Sequence, residues 1–136
     1  MSNDKLLTGR CNVFIPCALG GVLNEWSIPT LNTTAIAGAA NNQLLTQEDD
    51  ARLTNAGILY CSDYLVNAGG VIDVYHRRQG SPRENIDAGV APIADRLKSV
   101  LMAAQSRSIS PEQVAQELAE ELIREQQSGP IPPTAA

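Results

Sequence analysis

Three short apolar runs, each leading into a cluster of small residues, constrain this chain more than any other feature. Val13-Phe14-Ile15 stops at Pro16 and leads into Cys17-Ala18-Leu19-Gly20-Gly21, and Ala35-Ile36-Ala37 leads into Gly38-Ala39-Ala40-Asn41-Asn42. Ile58-Leu59-Tyr60-Cys61 is followed, a few residues on, by Asn67-Ala68-Gly69-Gly70. None of the runs alternates polar with apolar residues, the pattern of strands in a parallel sheet covered on both faces. Asn24 to Leu31, bearing Trp26, predicts a short helix between the first two strands. Thr46-Gln47-Glu48-Asp49 predicts another, capped by the Thr46 hydroxyl, with acids at the positive end of its dipole and a stop at Asn55-Ala56-Gly57. The expected order is β-α-β-α-β with right-handed crossovers.

From Asn67 onward the pattern is helical. Val71, Val74 and Tyr75 share one face of a helix ending near Gly80. Ser81-Pro82-Arg83-Glu84 restarts a helix with Ser81 as N-cap and Pro82 at the first position. Its buried stripe is Ile86, Val90, Ile93, Leu97, Val100, Leu101 and Ala104, kinked at Pro92. Ser110-Pro111-Glu112-Gln113 opens a last helix with a capping box and an apolar face of Val114, Leu118, Leu122 and Ile123.

Charge and cysteine usage narrow the chemistry. Ten Lys plus Arg face fifteen Asp plus Glu in 136 residues, a net charge of −5. That balance argues against tracking nucleic-acid phosphates or binding an anionic membrane. The three cysteines, Cys11, Cys17 and Cys61, form no CxxC pair, and the one histidine leaves a structural zinc site short of ligands. They are expected as buried thiols, with no metal site. No apolar run approaches the ~20 residues that span a bilayer, and the first ten residues lack a signal-peptide core, so the expected location is cytoplasmic.

Each small-residue cluster follows a strand, and loops at the C-terminal edge of a parallel sheet are where open α/β folds bind ligands. Small residues there let a ligand approach the backbone, and asparagine amides donate and accept without charge. The order PCALGGVLN, IAGAANNQL, GILYCSDYLVNAGGVIDV closely resembles the Glu/Leu/Phe/Val dehydrogenase family, its leucine and phenylalanine members above all. The likeness runs from about Asn3 to Ile123.

That resemblance implies a half-Rossmann, three-stranded parallel sheet (βαβαβ) followed by C-terminal helices. Residues 1–127 would form a truncated dinucleotide-binding-like domain, and residues 128–136 a flexible Pro-rich tail. It also implies that Ala18, Leu19 and Gly20 lie against the cofactor ribose, and that the Asn41-Asn42 pair, Asn42 foremost, approaches the nicotinamide and the amino acid. Asn67, Ala68, Gly69 and Gly70 would line the substrate pocket, with Val71 and Val74 facing the substrate side chain. Val74 offers no hydroxyl to meet a carboxylate, so an aliphatic or aromatic side chain is expected. No segment of this sequence corresponds to the family's catalytic lysine and aspartate, its GxGxxG turn, or the acid that holds the adenosine ribose. Asn12 also stands where the family usually has Asp.

The expected function is accordingly an amino-acid-dehydrogenase-derived domain, not an autonomous dehydrogenase, acting as a binding, regulatory or complementing subunit. Alternatives are a small enzyme using the retained amino-acid, imine or keto-acid pocket without hydride transfer, and a sensor. No tightly bound cofactor is expected, and NAD would bind weakly or only with a partner. The strand Asn12 to Ile15 would be an uncovered edge, inviting a homodimer or a complementing dehydrogenase-like chain.

Four features have plainer readings. Cys17 is expected as an ordinary thiol, and His76, beside Arg77 and Arg78, as a surface cation suited to a helix C-terminus. Asp63 reads as a helix or turn cap, with a polar role in the pocket as the alternative. The acids Glu117, Glu120, Glu121 and Glu125 read as a solvated helix face.

Overall fold

The computed structural model describes Lys5 and residues 7–127. Strands β1 (Val13–Phe14), β2 (Ala35–Ile36) and β3 (Leu59–Tyr60) form one sheet in that order, and both pairings are parallel. Val13, Ala35 and Leu59 stand in register, as do Phe14, Ile36 and Tyr60. Single bonds extend the pairing: the Cys11 N–H donates to the Asn32 carbonyl at 3.0 Å, and the Cys61 N–H to that of Ile36 at 2.9 Å. The strand order and the parallel sheet agree with the sequence reading, although each strand is shorter than its apolar run and only the second crossover is an α-helix.

Coverage of the sheet differs from expectation. The row Phe14-Ile36-Tyr60 packs into a core with Leu23, Ile28, Leu53 and Ile58. The opposite row leaves Val13 and Leu59 exposed at 47% and 41%, and Ile15 beyond it at 59%. Continuous apolar strands predict burial on both faces, but here only one face is buried. The thiols also divide, with Cys61 buried, Cys11 half-buried and Cys17 exposed rather than enclosed.

The first crossover is not the expected helix over 24–31. It holds a single 3-10 turn, Ile28–Thr30. The Asn24 side chain accepts from the N–H groups of Trp26 (3.1 Å) and Ser27 (3.0 Å) as an N-cap does, and the Ile28 N–H reaches the Asn24 carbonyl at 3.0 Å, but Pro29 has no N–H to continue the ladder. Trp26 is left 70% exposed. The second crossover is helix α1 (Glu48–Asn55). Its cap reverses the expected roles. The buried Asp49 carboxylate accepts from the Thr46 N–H (2.8 Å) and hydroxyl (3.1 Å), and pairs with Arg52 at 2.7 Å. Gly57, at φ +70°, ends the helix.

Five helices follow: α2 (Asp63–Val66), α3 (Ala68–Arg78), α4 (Arg83–Val90), α5 (Ile93–Arg107) and α6 (Pro111–Gln127). The sequence gives no distinct signal for α2. Pro82, not Ser81, is the N-cap of α4, because the Ser81 N–H donates back to the His76 carbonyl and closes α3. Pro92 does more than kink the expected long helix: it separates α4 from α5. A second core joins α5 and α6 through Val100, Ala104, Val114 and Ala115. On α6, Val114 is buried as expected, but Leu118, Leu122 and Ile123 are exposed. The expected Pro-rich tail lies outside the described residues.

Candidate ligand-binding edge

The three small-residue clusters meet at one end of the sheet, tied by contacts within the chain. The Gly21 N–H donates to the Asn42 carbonyl at 2.7 Å, joining the first cluster to the second. Gly20 packs so closely there that a Cβ on it would fall 2.7 Å from the Asn41 oxygen and 2.8 Å from that of Asn42. Asn67 joins the third cluster, its side-chain amide donating to the Ala39 carbonyl (2.7 Å) and to the Asn41 side-chain oxygen (2.8 Å). Asn42 adopts φ +52°, a left-handed conformation that asparagine tolerates better than most residues.

Gln43 is what the sequence reading missed. It is fully buried, and its amide donates to the Gly38 and Ala40 carbonyls, both at 2.8 Å, holding the second cluster in shape. Its backbone N–H donates to Asp63, whose other oxygen accepts from the Tyr64 N–H at 2.8 Å. Asp63 is the first residue of α2 rather than its cap, which is Ser62; it ties the second cluster to α2 and lines the cavity described below. The signal for Gln43 was its place after Asn41-Asn42, a polar residue in a loop of otherwise small ones.

The edge is open rather than enclosed. Leu19, Val71 and Val74 are 82%, 75% and 56% exposed, and Ala18, Gly20, Asn41, Asn42 and Gly70 are exposed as well. Asn67, Ala68 and Gly69 are half-buried. Of these residues only Asn42 reaches the neighbouring cavity of about 370 Å³, whose walls include Tyr60, Asp63, Tyr64 and Glu112. Burial pushes the Glu112 carboxyl above its ordinary range. The nearby Ser62 hydroxyl opposes that rise without reaching hydrogen-bond geometry, and the charges of Asp50 and Asp63 add to it. The Tyr64 phenol is pushed up to about 12, chiefly by burial and then by the Glu112 charge.

The plainer readings fare unevenly. His76 does lie in the last turn of α3, but it is half-buried with Nδ1 enclosed and unpartnered, and its ring packs near Gly89 rather than standing free. Glu117, Glu120, Glu121 and Glu125 are exposed, and Glu117 and Glu120 pair with Arg107 (2.7 Å) and Arg124 (3.0 Å). Among the described residues, no three His, Cys, Asp or Glu side chains are grouped to hold a metal, and no helix is long and apolar enough to cross a membrane.

A three-stranded parallel sheet with a helical crossover and uncharged polar loops gathered at one end defines one half of a Rossmann-like α/β fold. Comparison with known proteins makes this specific. Residues 1–81 match the model of the Glutamate/Leucine/Phenylalanine/Valine dehydrogenase family. The chain is 42% identical over 91% of its length to a phenylalanine dehydrogenase of Bacillus thermotolerans, and 42% identical over 82% to an L-tryptophan dehydrogenase of Nostoc punctiforme. It covers 32% of each. The crystal structure of the L-tryptophan dehydrogenase from Nostoc punctiforme superposes with a TM-score of 0.83 at 37% identity, over 92% of this chain and 38% of that one. A glutamate dehydrogenase from Thermus thermophilus, at 22% identity and a TM-score of 0.75 over 97% of this chain and 34% of that one, shares the fold. The chain belongs to the Glu/Leu/Phe/Val dehydrogenase family, and it spans about a third of the length of the curated relatives it matches.

Proposed function

We propose that this chain is a binding subunit of the amino-acid dehydrogenase type, taking the reactive end of a dinucleotide together with a small amino or keto acid. A complementing polypeptide supplies the phosphate grip and the groups that move protons. The reading rests on one observation: three loops with uncharged donors and acceptors are fixed against one another at the sheet's end by Gly21–Asn42 and Asn67–Asn41 bonds.

The residues of the edge fit the nicotinamide side of NAD. Ala18, Leu19 and Gly20 offer a surface that can come close to a ribose, and the Asn41 and Asn42 amides can orient a carboxamide. NAD, when bound, supplies the hydride acceptor. Asn67, Ala68, Gly69 and Gly70 line the place for the amino or keto acid, and Val71 and Val74 favour an aliphatic or aromatic side chain. The sequence contains no GxGxxG turn, and neither of its lysines, Lys5 and Lys98, falls in the three clusters. This chain alone therefore holds NAD weakly and does not turn over as a dehydrogenase. The open β1 edge, with Val13 and Ile15 exposed, is where a second copy or a complementing chain would pair, since the two halves of such folds meet along their first strands.

Thermal-shift measurements with NAD, NADH, branched and aromatic amino acids and their keto acids test the reading. A rise in Tm with an amino or keto acid, enlarged by NADH, supports it. No shift with any of them overturns it, and NAD-dependent deamination by the purified chain alone refutes the complementing role. Turnover of a keto or amino acid without hydride transfer favours the repurposed-enzyme reading instead.

A further inference from the structure

A groove between α2, α5 and α6 is lined by none of the residues of the candidate ligand-binding edge. It measures about 710 Å³, and its apolar floor is formed by Leu65, Pro92, Val100, Ala115, Leu118 and Leu122. Helices α5 and α6 are consecutive, and their buried contacts are made by Val100 and Ala104 against Val114 and Ala115. Beyond Ala115, α6 continues with apolar residues that stay partly uncovered. Leu118 and Leu122, one turn apart on one face, are 44% and 60% exposed. The lining from Ala115 to Glu125 runs about 15 Å along α6, roughly three helical turns.

The charges beside this floor are one-sided. Asp95, Glu121 and Glu125 line the groove with a single cation, Arg96. We infer that the groove docks a basic amphipathic helix of a partner polypeptide, its apolar stripe laid on Leu118 and Leu122 and its Lys or Arg residues set against the acidic side. Two other occupants fit poorly. A second copy of this chain would bring the same acidic excess, Asp95, Glu121 and Glu125 with one Arg96, to the other side of the interface. The chain's own residues 128–136 contain no Lys or Arg and three prolines. This inference does not depend on what the ligand-binding edge takes.

The test is fluorescence anisotropy of the full chain with a labelled Leu/Lys peptide of amphipathic helical repeat. Its controls are a scrambled peptide of the same composition and a Leu/Glu counterpart. The Leu/Lys peptide should bind in the micromolar range and at least about tenfold more tightly than either control. Leu122→Lys, at an exposed position, should weaken it by about tenfold or more, while Val13→Lys on the far β1 edge should not. Glu121→Gln with Glu125→Gln should weaken binding and flatten its salt dependence. Equal binding of the scrambled peptide, preference for Leu/Glu, or indifference to Leu122→Lys overturns the inference. So does light scattering in which Leu122→Lys converts a dimer to a monomer, because the groove would then hold a second copy.

Discussion

A Cβ placed on Gly38 would collide with the Pro16 carbonyl oxygen and ring, whereas one on Gly69 meets nothing within 4 Å. Gly38 is therefore required by packing where the second cluster crosses the first. Gly38→Ala should cost about 2–3 kcal/mol, read as a fall in the denaturant midpoint. Gly69→Ala, in the first turn of α3, should raise stability by a few tenths to about 1 kcal/mol and diminish any Tm shift caused by an amino or keto acid. If Gly69→Ala leaves that shift intact, Gly69 does not face the ligand. Glu112 gives a pH prediction. Its carboxyl is raised above the 4.5 of an unfolded glutamate, so its contribution favours the fold below that pH and is lost as pH climbs through the folded value. Asp50, raised above 3.8 by burial, acts in the same direction. Glu112→Gln should raise Tm at pH 7 and flatten the decline in Tm as pH rises from the ordinary glutamate range. At this scale the sequence shows which residues are small and amide-bearing. It does not show that Gln43 is buried beneath them, because only the folded loop brings the Gly38 and Ala40 carbonyls to its amide.

Helix boundaries show where local signals suffice and where they fail. Ser110 caps α6 as its sequence suggests, the hydroxyl accepting from the Gln113 N–H at 3.1 Å. The same hydroxyl also donates to Asp50, fastening α6 to α1 across sixty residues of chain, and no local pattern carries that contact. Ser110→Ala should therefore cost more than a simple cap, about 2 kcal/mol in chemical denaturation, and Asp50→Asn should reduce the added loss in a double-mutant cycle. A loss of only a few tenths would mean that the Asp50 contact contributes nothing. The missing helix over 24–31 has the opposite cause. Its apolar spacing is adequate and Asn24 caps its start, but Pro29 has no N–H for the next carbonyl and the turn goes no further. The α6 stripe was legible as amphipathic, yet the pattern cannot say whether the partner of Leu122 lies in the same chain.

For the molecule as a whole, strand order and parallel sense were legible because continuous apolar runs and small-residue turns recur in sequence. That one face would stay open was not, since Val13 and Leu59 look as apolar as their buried neighbours. With Val13 and Ile15 exposed on the outermost strand, light scattering at micromolar concentration should show a dimer, and Val13→Lys with Ile15→Lys should yield monomers of unchanged helical content. A clean monomer of the unaltered chain would remove the self-pairing proposal. The bonds that shape the candidate ligand-binding edge, Gly21 to Asn42 and Asn67 to Asn41, both begin and end inside these 136 residues. The edge is thus an interchangeable part: it arrives already shaped, and a protein engineer could graft different companions beside it without rebuilding its contours.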